Sequence, residues 1–299
     1  PFNSFNVETR GKIELTDDDL DVKNISADGF LKIEKSVFGS SRKIIITPQG
    51  STLKREYYEG RTSLPFDPDG RKWLSEVLPE LVRSTTLGAE GRVARFYKKG
   101  GTNAVLSEIR SMESDHVMSH YADLLMKQPV PVKEYPVIIS TVTGKVDSDH
   151  YRSQFLENNM EKFAGNKEAI EAICQASARM GSDHYKAQVI KRALRTENLS
   201  SEATRSVLAA VSDMESDHYI TEVINALLKQ SVSDAIVSEV ITTSRSIESD
   251  HYRSVVLRNA LSKSNLSATS YQRLLESVRD MESDHYQTEV LTRLMEKQV

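Results

Sequence analysis

Five Asp-His-Tyr triplets and one Asp-His-Val set a carboxylate and an imidazole side by side six times in 299 residues. They lie in the stretches 113–117, 147–151, 181–185, 215–219, 248–252 and 282–286, and the last three read Glu-Ser-Asp-His-Tyr in full. Three chemistries use such groups. Asp and His both bind metals, but equivalent residues on packed neighbouring helices stand about 10 Å apart. Metal bonds to His and Asp are only about 2.0–2.2 Å, so one ion does not easily serve two copies. Catalysis needs a general base beside a nucleophile in a pocket, whereas these histidines recur as a register. The third chemistry is a hydrogen-bond ladder, the aspartate accepting from local backbone amides or a neighbouring imidazole and so fixing each turn and the copy-to-copy register. The ladder is the expectation here, with no catalytic residue, cofactor or metal; a metal-responsive sensor is the alternative.

Other reactive groups have simpler explanations. His116 and His120 are four apart on one helix face, but Val117 stands where a metalloprotease helix carries glutamate. Cys174 shares a column with Leu106, Leu208, Ile241 and Leu275 and reads as a small core residue rather than a nucleophile. Asp17, Asp18, Asp19 and Asp21 resemble the start of a calcium loop, yet Val22 replaces its glycine and Asp28 its bidentate glutamate, so a polar turn is expected.

The elements that position the triplets follow from their spacing. The histidines, His116, His150, His184, His218, His251 and His285, are 34, 34, 34, 33 and 34 residues apart, a period typical of stacked helix pairs. Eighteen residues before the histidine stand Asn166, Ser200, Ser233 and Ser267, each a good N-cap for a first helix. Apolar residues eleven, ten, seven and four before the histidine, such as Val207, Leu208, Val211 and Met214, mark its inward face. The motif serine sits where the second helix needs its N-cap, and that helix is expected to bury the tyrosine, then Val223, Ile224 and Leu227. Pro129, Pro131, Pro136 and Gly144 interrupt the second copy, so a bend is expected near residues 128–146.

Upstream, apolar and polar residues alternate in 5–8, 12–15, 30–34, 43–47 and 53–57 between turn residues, which predicts a small antiparallel meander. A helix from Pro68 to about Arg83, capped by Asp67 and carrying Trp73, Leu74, Val77, Leu78, Leu81 and Val82, is expected to cover it. A second helix, 89–98, leads through Gly100-Gly101 into the repeats.

The run 248–261, Glu-Ser-Asp-His-Tyr-Arg-Ser-Val-Val-Leu-Arg-Asn-Ala-Leu, resembles the turn and second helix of HEAT-like repeats, an aspartate heading the helix and an aliphatic series following. The period is short for that family, its arginine appears only as Arg152 and Arg253, and its repeating proline is absent. Residues 28–110, with Arg-Glu-Tyr-Tyr at 55–58 and Trp-Leu-Ser-Glu-Val-Leu-Pro-Glu-Leu at 73–81, resemble extracytoplasmic segments of bacterial membrane sensors of the BlaR/MecR type, without their His-Glu-x-x-His motif. That resemblance implies a periplasmic or extracytoplasmic location.

The fold class expected is α+β, mostly α. A β-rich domain with two helices spans residues 1–99, and a right-handed α-solenoid of six helix pairs of about 34 residues spans 100–299. The first part holds 17 basic against 15 acidic residues and the second 22 against 28, too balanced for a nucleic-acid surface. No apolar run is long enough to span a bilayer. The chain opens at Pro1, so a trimmed leader or a tether in flanking segments is an expectation as well. A single cysteine excludes an intrachain disulfide framework.

The function expected is that of a non-enzymatic scaffold or sensor binding a protein or peptide. Positions two, seven and eleven after the histidine are Arg152, Glu157 and Glu161, then Lys186, Lys191 and Arg195, then Ile220, Asn225 and Lys229, then Arg253, Arg258 and Ser262. They vary in charge while the inward columns stay apolar, so they are expected to line one solvent face. Arg152, Lys186, Lys191, Arg195, Lys229, Arg253 and Arg258 are its candidate partner-binding residues, and Lys186, Lys191, Arg192 and Arg195 its most basic patch, suited to an acidic segment.

Overall fold

A computed structural model describes residues 3–195, 199–263 and 266–297, and its fold is α+β, mostly α. The chain divides into two compact units, Pro1–Val130 and Pro131–Val299.

In the first unit, strands β1 (Asn3–Arg10), β4 (Phe30–Val37), β5 (Ser40–Gln49), β6 (Thr52–Glu59) and β7 (Thr62–Leu64) form one antiparallel sheet in that order. A separate hairpin, β2 (Ile13–Leu15) and β3 (Val22–Ile25), is inserted between β1 and β4. The alternation in the sequence becomes one buried face: Leu31 pairs with Ile46, Ile33 with Ile44, and Ile44 with Tyr57. Helix α1 (Arg71–Ser84) covers that face with Trp73, Leu74, Val77, Leu78, Leu81 and Val82, as its apolar stripe requires. The helix starts later than its proline suggests. Residues Phe66–Gly70 form a separate turn, Asp67 keeps extended backbone, and its carboxylate accepts from Arg71 Nε at 2.5 Å instead of capping.

Helix α2 (Ala89–Arg110) begins at Gly88, whose φ of 66° favours glycine and where an added Cβ would stand 3.0 Å from the Leu15 side chain. It breaks at Gly100 and Gly101, as expected, yet the expected domain boundary at 99/100 falls inside this element. The residues beyond the break stay with the first unit, together with α3 (Asp115–Leu125), which carries the first Asp-His copy. Charge holds them there. The buried Arg92 guanidinium donates to Asp19 at 3.0 Å, to Glu108 at 2.8 Å and to the Tyr121 hydroxyl at 2.6 Å, and Tyr121 in turn donates to the Val82 carbonyl. Hairpin, covering helix and first helix pair thus share one buried cation.

The aspartate cluster is explained by the same arginines. Asp19 meets Arg92 and Arg95, Asp21 meets Arg55 and Arg71, and Asp18 closes the turn on Thr16 and the Leu20 amide. Guanidinium groups thus occupy two of these carboxylates, Asp19 and Asp21.

The second unit is a stack of helix pairs. Its first helices are α4 (Tyr135–Lys145), α7 (Lys167–Ala178), α9 (Ser201–Ser212), α11 (Asp234–Thr243) and α13 (Ala268–Arg279). Its second helices are α5 (Asp149–Asn158), α8 (Asp183–Ala193), α10 (Asp217–Leu228), α12 (Asp250–Leu261) and α14 (Asp284–Lys297); a short α6 (Met160–Phe163) follows α5. Each row packs on its own kind, α4 on α7 on α9 on α11 on α13, and α5 on α8 on α10 on α12 on α14. Asn166, Ser200, Ser233 and Ser267 all accept the N-cap bond the sequence anticipates. The prolines of the second copy do not break its first helix: Pro136 occupies the opening turn of α4, where a missing amide is not needed, and Pro131 starts the unit.

Replacing Arg92 by Met should destabilise the first unit by about 1–3 kcal/mol, because Asp19 is left with Arg95 alone, Glu108 with Arg83 alone, and the buried Tyr121 hydroxyl loses its donor; Trp73, the chain's one tryptophan, lies in that core and reports it by fluorescence. Burial pushes the Glu108 carboxyl up, but the bonds from Arg83 and Arg92 outweigh it and hold the group below its ordinary 4.5. A carboxylate depressed on folding contributes stability above its unfolded pKa and loses it as pH falls through the folded value. Wild-type stability should therefore be level near neutrality and fall on acidification below about 4.5, and Glu108→Gln should flatten that acid limb.

Candidate functional site

Each turn between the paired helices of the second unit is anchored by a buried residue four before the histidine: Val146, Met180, Met214, Ile247 and Met281. The motif serine follows in extended backbone, and the second helix starts at the aspartate. Ser182, Ser216 and Ser249 occupy the N-cap position, but their hydroxyls accept no cap bond. The aspartate satisfies turn amides instead, and those amides belong to the next repeat. Asp149 Oδ2 accepts from the Gly181 and Ser182 amides, both at 2.8 Å, and Asp183 Oδ2 from Glu215 and Ser216, both at 2.9 Å. Asp217 takes the Glu248 and Ser249 amides at 3.2 and 2.8 Å, and Asp250 takes Glu282 and Ser283 at 2.8 Å. Four rungs of one carboxylate on two amides run along the stack. Each gives a donor pair with no helical partner a charged acceptor.

The histidines line the exposed edge of this ladder. His150 Nδ1 lies 3.2 Å from the Tyr185 hydroxyl and His184 Nδ1 3.1 Å from that of Tyr219, while His218 and His251 meet Tyr252 and Tyr286 edge to face, with ring centroids 6.1 and 5.6 Å apart. The tyrosines are half-buried, not core residues as their column suggested. The next column turns inward in their place. Lys186 is 1% and Arg253 7% exposed, so these two do not lie on a solvent face. Arg152 Nε donates to the Val146 carbonyl at 2.6 Å, Arg253 Nη2 to Ile247 at 2.6 Å and Gln287 Nε2 to Met281 at 2.7 Å. With the aspartate fixed on its rung, the helix points the residue three later back over the turn, and a long donor ties the anchor carbonyl while its stem fills space. Lys186 instead reaches Asp213 at 3.2 Å.

The columns seven and eleven after the histidine do reach solvent. Lys191 pairs with Glu222 of the next repeat at 2.9 Å, Arg258 with Glu289 at 3.5 Å, and Asn259 donates to Asn225 at 2.7 Å. Arg195, Lys229, Glu161 and Ser262 are exposed and Glu157 is half-buried. Between α8 and α10 these columns open a cleft of about 860 Å³ lined by Lys191, Leu194, Arg195, Glu222, Asn225 and Lys229. A hollow of about 360 Å³ adjoins it, with His184, Arg192 and Tyr219 in its wall. Among the described residues Arg192, Arg195 and Lys229 make no ion pair.

A further column escaped the sequence reading. Twelve residues after the histidine, Gln230 donates to the Leu194 carbonyl, Lys263 to Gln230 at 3.1 Å and Lys297 to Leu261 at 2.6 Å. The recurrent long donor at that position was its signal. Charge is thus matched to both helix ends, aspartate at the start and a donor on the last carbonyls of the preceding repeat.

Among the described residues no three His, Cys, Asp or Glu side chains converge as a metal site. Burial lowers His120 and pushes the Cys174 thiol up to about 12, which keeps it protonated and inert. Comparison with family models, curated proteins and solved structures finds no match.

Asp183→Ala should cost about 1–3 kcal/mol, because two turn amides lose a charged acceptor. Ser216→Ala, which removes no cap bond, should cost less than about 0.5 kcal/mol. Chemical denaturation of the two variants against wild type measures both, and a larger loss in the serine variant would contradict the ladder. Tyr219→Phe should cost about 0.5–1.5 kcal/mol, the share of the His184 bond.

Proposed function

We propose that the second unit is a non-enzymatic scaffold whose second-helix face docks an acidic peptide or protein segment. The single observation that supports this most is the cleft between α8 and α10, with Arg195 and Lys229 on its lining and Arg192 beside it, three exposed cations without an ion pair among the described residues. Cations left unpaired beside a groove attract a polyanionic chain, and equivalent helices stacked in a row give such a chain an extended track. Of the seven candidate residues, Arg195 and Lys229 face a partner directly. Lys191 and Arg258 take part through their exchange with Glu222 and Glu289, and Arg152, Lys186 and Arg253 act indirectly by fixing turns.

The kinship with HEAT-like arrays belongs to the same proposal, supported by Arg152 and Arg253, which tie equivalent turn carbonyls. So does attachment of the array to an extracytoplasmic bacterial sensor. No described helix is long and apolar enough to cross a membrane, so a tether would lie in flanking segments.

The test is fluorescence anisotropy with a labelled deca-glutamate peptide. Binding to the full chain should weaken with added salt. The triple variant Arg192→Glu, Arg195→Glu, Lys229→Glu should weaken it at least about tenfold, while the melting temperature stays within about 2 °C, since exposed substitutions change stability little. Equal affinity of variant and wild type would overturn the proposal.

A further inference from the structure

The last described repeat, α13–α14, presents to its far side the same columns that every interior repeat buries. Leu275 is 46% exposed, whereas Cys174, Leu208 and Ile241 in its column are buried. Leu291 is 37% exposed, against buried Leu156, Ile190, Ile224 and Leu257; Met295 is 69% exposed, against buried Met160, Leu194, Leu228 and Leu261. Three columns switch from core to surface together, so the change belongs to the position in the stack and not to the residue types.

The polar rung changes with them. Asp149, Asp183, Asp217 and Asp250 each hold two amides of a following turn, while the exposed Asp284 carboxylate holds none among the described residues. His285, whose counterparts His150, His184, His218 and His251 each meet the tyrosine of the next repeat, meets Tyr286 and Glu289 of its own helix and no tyrosine of another repeat among the described residues.

We propose that this face is a docking surface for a further helix pair of the same template. The occupant is defined by what the face offers: an apolar triangle for two helices, a carboxylate placed for two consecutive backbone amides of a turn, and an imidazole placed for a tyrosine on the helix after that turn. A second copy of the face itself fits less well, because two such faces bring acceptor to acceptor and offer no amide pair to Asp284. The inference concerns a different surface from the α8–α10 cleft and stands or falls independently of it.

The test extends the full chain with a duplicate of residues 266–299 joined after Val299, which places the added histidine 34 residues after His285 and keeps the register of the array. Joining the pair covalently supplies it at high effective concentration. The extended chain should melt several degrees higher, and hydrogen exchange at the added Glu-Ser amides should slow at least about tenfold. Leu291→Asp in the original repeat should abolish both gains. Asp284→Ala should abolish the amide protection while leaving the added helices resistant to protease. An added block that stays protease-sensitive, with no rise in melting temperature, overturns the proposal. So does light scattering that finds the unextended chain dimeric and Leu291→Asp monomeric, since the occupant would then be a second copy.

Discussion

The stack of helix pairs depends on one interaction, a carboxylate at the head of each second helix gripping two backbone amides in the turn of the next. A helix pair leaves the amides at its turn without partners, and a buried or half-buried amide left bare costs as much as a lost hydrogen bond. The usual remedy is local, a cap supplied by the same turn. Here the acceptor comes from the preceding repeat, so the requirement that satisfies one turn also sets the distance and register of two. The hydroxyls of Ser182, Ser216 and Ser249 make no cap bond, whereas Asn166, Ser200, Ser233 and Ser267 cap the first helices locally.

Once the aspartate is fixed, the remaining motif residues follow from helical rotation. The histidine points to solvent, the tyrosine lies half-covered against the preceding imidazole, and the next side chain turns inward, with Arg152, Arg253 and Gln287 donating to the anchor carbonyl. Each of the three is bound by a geometric duty. The positions seven, eight and eleven after the histidine carry fewer such duties, and they hold the variable charges and the cleft. Structural constraint and freedom to bind are separated by about one turn and a half of the same helix.

The first unit solves a different problem, that of joining a sheet to a helix pair. Apolar packing holds α1 on the sheet, whereas the junction beyond it is made by Arg92 with Asp19, Glu108 and Tyr121 around it. Burial works against the charge on Arg92, but its partners outweigh that cost and the group is held above an ordinary arginine. A buried cation with three fixed partners is demanding about direction in a way that apolar contact is not.

Periodicity alone determined much of this protein. The 33–34-residue spacing gave the helix pairs, the residues eighteen before the histidine gave their caps, and alternation at 30–34 and 43–47 gave the central strands, because each of these is a local pattern that repeats or alternates in step with backbone geometry. The strands Val22–Ile25 and Thr62–Leu64 lack that alternation. Tertiary structure decided what each motif residue is for. That Asp183 serves Ser216 rather than its own turn, that Lys186 and Arg253 face inward while Arg195 and Lys229 face out, and that the first Asp-His copy belongs with the sheet, all depend on which atoms of distant segments arrive nearby. A residue's column gives its angle around the helix. Only the packing of the next repeat sets what stands at that angle.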